Sequence, residues 1–393
     1  MGIGKRRYMK KQSNAPQIRF QNFEDEWVKQ SLGKTVEIIM GQSPDSKNYT
    51  DNPNDYILVQ GNADMQNGRV VPRVWTTQIT KLAEKGDLIL SVRAPVGDIG
   101  KTDYNVVLGR GVAAIKGNEF LFQLLTKMKQ SHYWSKFSTG STFESINSND
   151  IKSAEIYLPS IEEQSAIGSL FRTLDDLLTS YKNNLANYQS LKATMLSKMF
   201  PKAGQTIPEI RLDGFEGKWE NKILSEVTNI TMGQSPKSEN YTDNPNDYIL
   251  VQGNADIKDK QVVPRLWTTE VTKMAEIGDI ILTVRAPVGD IGKTDFNVVI
   301  GRGVAAIKGN DFIFYTLEKM KMTGFWNRFS TGSTFESISS NDIKEAIVQL
   351  PTLDEQQAIG AYFSNLDNLI ASHQEKITQL ETLKKKLLQD MFI

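Results

Sequence analysis

Two stretches of this chain carry apolar residues at spacings of three and four over an unusual length. In the first they are Phe171, Leu174, Leu178, Tyr181, Leu185, Tyr188, Met195 and Met199. In the second they are Phe363, Leu366, Ile370, His373, Ile377, Leu380, Leu387 and Met391. This is a heptad pattern, which leaves an apolar seam in want of a partner. Each seam has one interruption, Lys192 in the first and Lys384 in the second. Pro159 and Pro351 mark where the helices can begin, and Pro201 lies just beyond the first. About forty residues at about 1.5 Å each predict rods of roughly 60 Å. The nearest partner for either rod is the other, which predicts an antiparallel coiled coil.

Upstream of each helix the pattern changes to short apolar runs bounded by turn residues, the signature of strands. Asp55–Gln60, Gly86–Val92, Asn105–Leu108 and Val112–Lys116 are such runs, and Asn67-Gly68 reads as a hairpin tip. Short helices are predicted over Glu119–Lys129 and Asp311–Lys321. The fold class is α+β: two globular domains joined by two long helices.

The chain states this arrangement twice. Residue n aligns with residue n+192 from Gln17/Glu209 to Phe200/Phe392 without a gap, and 63 of 79 positions are identical between Met40–Asn118 and Met232–Asn310. So long a period excludes a solenoid, so each copy is a domain plus a connector. The expected order is a basic tail (1–16), a first globular domain (17–158), a helix and linker (159–208), a second globular domain (209–350) and a second helix (351–393). Antiparallel rods would turn the direct repeat into a two-fold. That suits a target which is itself two-fold, such as duplex DNA with inverted half-sites.

Composition narrows the setting. The chain has no cysteine, which excludes disulfides and thiolate metal sites. No apolar run approaches a membrane span and no signal peptide opens the chain, so a cytoplasmic location is expected. Lysine plus arginine and aspartate plus glutamate number 46 each, for a net charge of zero. Counterion release depends on phosphates contacted and not on net charge. A neutral chain can therefore bind DNA if its cations share a face or a partner supplies others. Lys5, Arg6, Arg7, Lys10 and Lys11 form a short basic tail.

Enzyme-like strings fail on inspection. Gly97–Thr102 (GDIGKT) lacks the first glycine of a phosphate-binding loop, since Pro95 stands there. Asn52–Tyr56 (NPNDY) has no glycine-rich cofactor loop beside it and reads as a turn. His132 and His373 face Gly324 and Tyr181 in the other copy, so no shared site uses histidine. No catalytic or metal constellation remains.

What both copies share is chemistry suited to DNA. Gln42, Gln60, Asn62 and their counterparts Gln234, Gln252 and Asn254 offer amide edges that match adenine. Arg73, Arg93, Arg110, Arg265, Arg285 and Arg302 offer the fork that matches guanine or phosphate. Lys101, Lys116, Lys293 and Lys308 are cations for phosphates, while Tyr49 and Tyr241 can stack. Ser43 and Ser235 open the same block, and Ser141 and Thr142 with Ser138 and Thr139 surround Gly140 before a short helix, as Ser333 and Thr334 follow Gly332 in the second copy, an anion-binding arrangement. Many differences between the copies, such as Met65–Arg69 against Ile257–Gln261, fall at the hairpin tip, where they are expected to matter least.

Three strings carry a family resemblance. Ile18–Trp27 (IRFQNFEDEW) and Ile210–Trp219 (IRLDGFEGKW) open each domain. Gly41–Pro44 (GQSP), Gly86-Asp87 and Val92–Gly97 follow. Leu158-Pro159 with Glu162-Glu163-Gln164, and Leu350-Pro351 with Asp354-Glu355-Gln356, open long helices that end in Met-Phe. In these the chain resembles the specificity subunit of type I restriction–modification systems. The resemblance implies a non-catalytic ruler in which two target-recognition domains each bind one half of a split DNA site and the helices set the gap. It also implies two methyltransferase (modification) subunits that use S-adenosylmethionine on adenine N6, and two restriction subunits that use ATP and Mg. The chain itself would carry no cofactor. Phe171, Leu174, Leu178, Leu185, Phe363, Leu366, Ile370 and Ile377 are the expected partner-binding residues. The departure from the family pattern is that its two recognition domains usually differ. A stand-alone DNA-binding regulator and a non-catalytic structural repeat protein are the rival readings.

Overall fold

The computed structural model describes residues 14–137, 145–329 and 337–393. They form two compact units: the described residues up to Lys182 together with Glu375–Ile393, and Asn183–Gln374. Each contains the globular part of one repeat and a piece of both long helices.

In the first unit Val28–Ser31 pairs antiparallel with Glu155–Leu158, Val28 opposite Leu158, so the globular part is zipped where it begins and ends. Leu88–Ser91 lies inside a six-stranded sheet between Val112–Ile115 and Ile99–Lys101. A five-stranded sheet sets Tyr56–Val59 parallel to Val106–Leu108. Leu88–Ser91, Val106–Leu108 and Val112–Ile115 are buried throughout, which is why they read as apolar runs and not as alternation. The second unit repeats this topology strand for strand.

The hairpin tip is where the sequence places it, between Met65–Gln66 and Arg69–Val70. Asn67 and Gly68 take φ of 50° and 74°, the two positive values a tight hairpin turn requires. Asp259 and Lys260 hold the same turn at 49° and 64°, so a lysine occupies a position that favours glycine.

The long helices, α1 (Ile161–Lys198) and α2 (Leu353–Asp390), have 38 residues each. Within each unit their pieces run antiparallel. In the first, Lys384 pairs with Asp175 at 2.5 Å and Lys182 with Glu381 at 2.7 Å. In the second, Lys192 pairs with Asp367 at 2.6 Å, and the Tyr188 and His373 rings meet edge to face at 5.1 Å. The lysines that interrupt the heptads are thus partners for a carboxylate on the facing helix. The Met-Phe endings close the aromatic cores: Phe392 packs on Trp27, Phe120 and Phe171, and Phe200 on Trp219, Phe312 and Phe363.

One expectation is corrected here. Phe171, Leu174, Leu178, Phe363, Leu366 and Ile377 are buried, and Leu185 and Ile370 are half-buried. Packing within each unit consumes the buried ones, so they offer a partner subunit little or no surface.

Candidate nucleic-acid interface

The strings that open and close each globular part meet in space. Arg19 sends a two-pronged fork to Glu163, both bonds at 2.7 Å, and Arg211 does the same to Glu355 at 2.8 and 2.7 Å. Both glutamate side chains are 1% exposed, and the hydrogen-bonded carboxylate holds the Arg19 guanidinium above its ordinary pKa. Sequence reasoning missed these pairs, although each joins opposite charges at the same separation of 144 residues. They staple the recognition fold to the start of its helix.

Above that base, three backbone segments of the second unit converge on a cleft of about 610 Å³. They are the segment after Ile230–Met232, the end of Tyr248–Val251 and the Gly301–Gly303 corner. Glycine permits the convergence. A Cβ on Gly233 would sit 2.1 Å from the Gly301 carbonyl oxygen, and one on Gly303 would sit 2.0 Å from that of Gln252. In the first unit the corresponding distances are 2.0 Å for Gly41 against Gly109 and 2.1 Å for Gly111 against Gln60.

Hydrogen bonds then fix the polar groups. The Arg302 amide donates to Ser235 Oγ at 3.1 Å, and Gln252 Nε2 donates to Tyr241 Oη at 2.7 Å. The Gln252 amide donates to buried Asp256 at 2.7 Å. The first unit reproduces all three through Arg110 and Ser43, Gln60 and Tyr49, and Gln60 and Asp64. Ser235, Tyr241, Gln252, Asn254, Arg285 and Arg302, spread over 68 positions of sequence, line one cleft.

The candidate cations fall into two groups. Arg93, Arg110, Arg285 and Arg302 are exposed and, among the described residues, make no side-chain hydrogen bond or ion pair. The others are engaged within the protein. Arg73 donates to the Ala63 carbonyl at 3.0 Å and Arg265 to that of Ala255 at 2.8 Å. Lys101 pairs with Glu119 and Lys293 with Asp311. Lys116 and Lys308 pair with Glu84 and Glu276. Gln42 and Gln234 are exposed, and their carbonyls accept from the Thr80 and Thr272 hydroxyls. Asn62 and Asn254 begin short helical turns. Ser141, Thr142, Ser333, Thr334 and the basic tail lie outside the described residues.

The GDIGKT string has a structural role. Gly97 has a φ of 90°, and a Cβ there would fall 2.5 Å from the Trp134 ring. Thr102 is buried, and its hydroxyl donates to the Tyr104 carbonyl. Among the described residues, no group of three or more His, Cys, Asp or Glu could hold a metal ion, and no helix is long and apolar enough to cross a membrane.

Comparison with known proteins agrees on one family. The profile of the type I restriction modification DNA specificity domain matches residues 24–213 and again 216–382. A Methanocaldococcus jannaschii protein carrying the name of a type I restriction enzyme MjaX specificity subunit is 30% identical over 281 residues. That alignment covers 68% of this chain and 66% of the relative, so the chain spans just under two thirds of its length. The MjaVIII specificity subunit of the same organism is 22% identical, with 68% of each chain covered. Among solved structures, the S subunit of a type I restriction–modification system from M. genitalium superposes with a TM-score of 0.66 at 17% identity, covering 96% of this chain and 99% of that one. A chain from a study of type I restriction–modification complex assembly gives 0.56 at 24% identity, covering 94% and 98%. At these identities the structures speak for the fold.

Proposed function

The chain belongs to the type I restriction modification DNA specificity family, and from that premise we propose that it is the non-catalytic subunit that reads a bipartite DNA site for a methyltransferase. One observation carries the reading of the site. Six of the polar residues repeated in both copies line one cleft of the second unit, and Arg285 and Arg302 there, like Arg93 and Arg110 in the first unit, are the candidate cations that make no side-chain hydrogen bond or ion pair among the described residues. An unpaired exposed guanidinium keeps its full hydrogen-bonding capacity for a guanine edge or a phosphate. Adenine methylation and ATP-dependent cleavage would be the work of partner subunits, which bring S-adenosylmethionine, ATP and Mg. We propose the cytoplasm as the location.

The reading is tested by methylation-aware sequencing of host DNA with and without the gene. A split adenine-methylated site that disappears on deletion is the expected result. Persistence of every methylated site in the deletion strain, or turnover by the purified chain alone, would overturn it.

The buried seam leaves other residues for the methyltransferase. Leu177 and Leu191 on α1 are 43% and 38% exposed, and their counterparts Leu369 and Leu383 on α2 are 43% and 44% exposed. The Asp175–Lys384 and Lys182–Glu381 pairs place Leu177 level with Leu383 in the first unit. In the second, Lys192–Asp367 and Tyr188–His373 place Leu191 level with Leu369. Apolar side chains held open at matched levels suit a protein interface, where aliphatic burial contributes about 25 cal/mol per Å². Leu177→Ala with Leu383→Ala should weaken assembly by about tenfold and leave the urea midpoint nearly unchanged. Unaltered co-purification with the methyltransferase would exclude this surface.

A further inference from the structure

Twelve residues line the second cleft, and eleven of them are identical 192 positions earlier. The exception reverses a charge: Lys237 stands where the first copy has Asp45. Two positions further on the reversal runs the other way, with Lys47 in the first copy and Glu239 in the second. Neither Glu239 nor its position belongs to the lining. The exchange therefore moves an ammonium from outside the mouth of the cleft into its wall.

Local structure makes that difference effective. In the first copy Asp45 is tied down, accepting from the Lys47 amide at 3.2 Å and pairing with Lys47 Nζ at 3.2 Å. In the second the turn Ser238–Asn240 has no side-chain cap. The backbone amide at this position is held alike in both copies, Asp45 donating to Gln78 at 2.8 Å and Lys237 to Glu270 at 2.9 Å, so Lys237 also lies near the Glu270 carboxylate. Its side chain is 75% exposed, and among the described residues its ion pair is a 3.7 Å contact to Glu239. So loose a surface pair does not hold an ammonium against a phosphate.

We propose that position 45/237 makes the two copies unequal readers: Lys237 donates to a DNA phosphate at the mouth of the second cleft, a contact that Asp45 denies to the first. This rests on the DNA-recognition reading and adds a polarity to it. The two copies can read the same word and still hold their half-sites with different strength and different salt sensitivity.

The test uses the full chain assembled with its methyltransferase subunits, a duplex bearing the mapped site and a scrambled duplex. Dissociation constants are measured from 50 to 200 mM NaCl. One phosphate contact changes the slope of log affinity against log salt by about 0.9, or about threefold over that range. Lys237→Asp should flatten the slope by that amount and Asp45→Lys should steepen it equally. Each variant imports the residue its sister copy already tolerates in the same turn. Glu239→Lys changes the charge in the same sense as Asp45→Lys but outside the lining, and should leave the slope unchanged. An unaltered slope in Lys237→Asp, or an equal effect of Glu239→Lys, overturns the inference while leaving site recognition intact. A wild-type assembly that does not prefer the site duplex over the scrambled one overturns the recognition reading itself.

Discussion

Replacing Asp367 by Asn should destabilise the protein by about 3–5 kcal/mol, because it strands buried positive charge. Lys192, whose side chain is 6% exposed, donates to both Asp367 oxygens at 2.6 and 2.8 Å and to Glu318 at 2.9 Å. Lys260 reaches the same carboxylates at 2.6 and 3.1 Å, and the Tyr315 hydroxyl donates to Asp367 at 3.0 Å. Two ammonium groups balance two carboxylates, so removing one carboxylate leaves the nearly buried Lys192 ammonium short of a counter-charge. Removing the facing cation as well, in Asp367→Asn with Lys192→Met, should restore most of the loss, since well-packed apolar groups can replace a buried pair at little cost. Urea unfolding measures both variants. A single-variant loss below about 1 kcal/mol, or a double variant no better than the single, would show that the cluster is not coupled.

The same cluster sets an acid limit. Burial alone would raise the Asp367 pKa, but Lys260 and Lys192 outweigh it and leave the carboxyl below its ordinary value. A carboxylate depressed in the fold contributes its stability above the ordinary range, about pH 4, and loses it as the pH falls through its own lower value. Asp367→Asn should therefore remove part of the wild-type loss of stability below about pH 4.

The cluster also marks where reading the chain stopped short. The heptads were legible because apolar spacing is a local property, and so were the buried strands at Leu88–Ser91 and Val112–Ile115. Lys192 and Lys384 could be seen only as interruptions, because the carboxylates that explain them lie on the facing helix, 175 and 209 residues away. The hairpin tip reads as the place where differences between the copies matter least for recognition, but Lys260, standing where the first copy has Gly68, bears on packing by joining the cluster. In the first unit the cluster reduces to Lys384, Asp175 and Gln123, since Gly68 and Thr126 replace Lys260 and Glu318. A cation and its carboxylate thus differ together between the copies, a correlation invisible until the hairpin is seen beside the helix. The cleft was half legible: Ser235, Tyr241, Gln252, Asn254, Arg285 and Arg302 stand out in the sequence, but the glycines that let its segments meet join positions that no short motif connects. Nothing in the sequence separated Lys101 and Lys116 from the arginines that make no ion pair among the described residues, because the acidic partners are chosen by the fold.

Arg285→Ala should weaken binding of one half-site by about 1–3 kcal/mol, and Arg93→Ala should weaken the other by a similar amount, if each makes a bidentate base contact. Arg285 lines the second cleft, and Arg93 is its equivalent in the first unit, where the same amide, hydroxyl and glycine positions recur and the same hydrogen bonds form. Side chains of the same kind, held by the same hydrogen bonds, present the same donors and acceptors to a base edge. We therefore expect one word to be read twice, with half-sites that are identical or differ by a single base. From the antiparallel pairing predicted by the heptads we expect them in inverted orientation, as an interrupted palindrome. Footprinting of the assembled complex on its mapped site measures the effect: each variant should lose protection over one half and keep it over the other. Arg73→Ala, whose guanidinium is already bound to the Ala63 carbonyl, should change affinity far less than Arg93→Ala. Two unrelated half-sites in the methylome would refute the expectation of a repeated word even with the family assignment standing. Equal loss over both halves in either arginine variant would show that the clefts do not read separately.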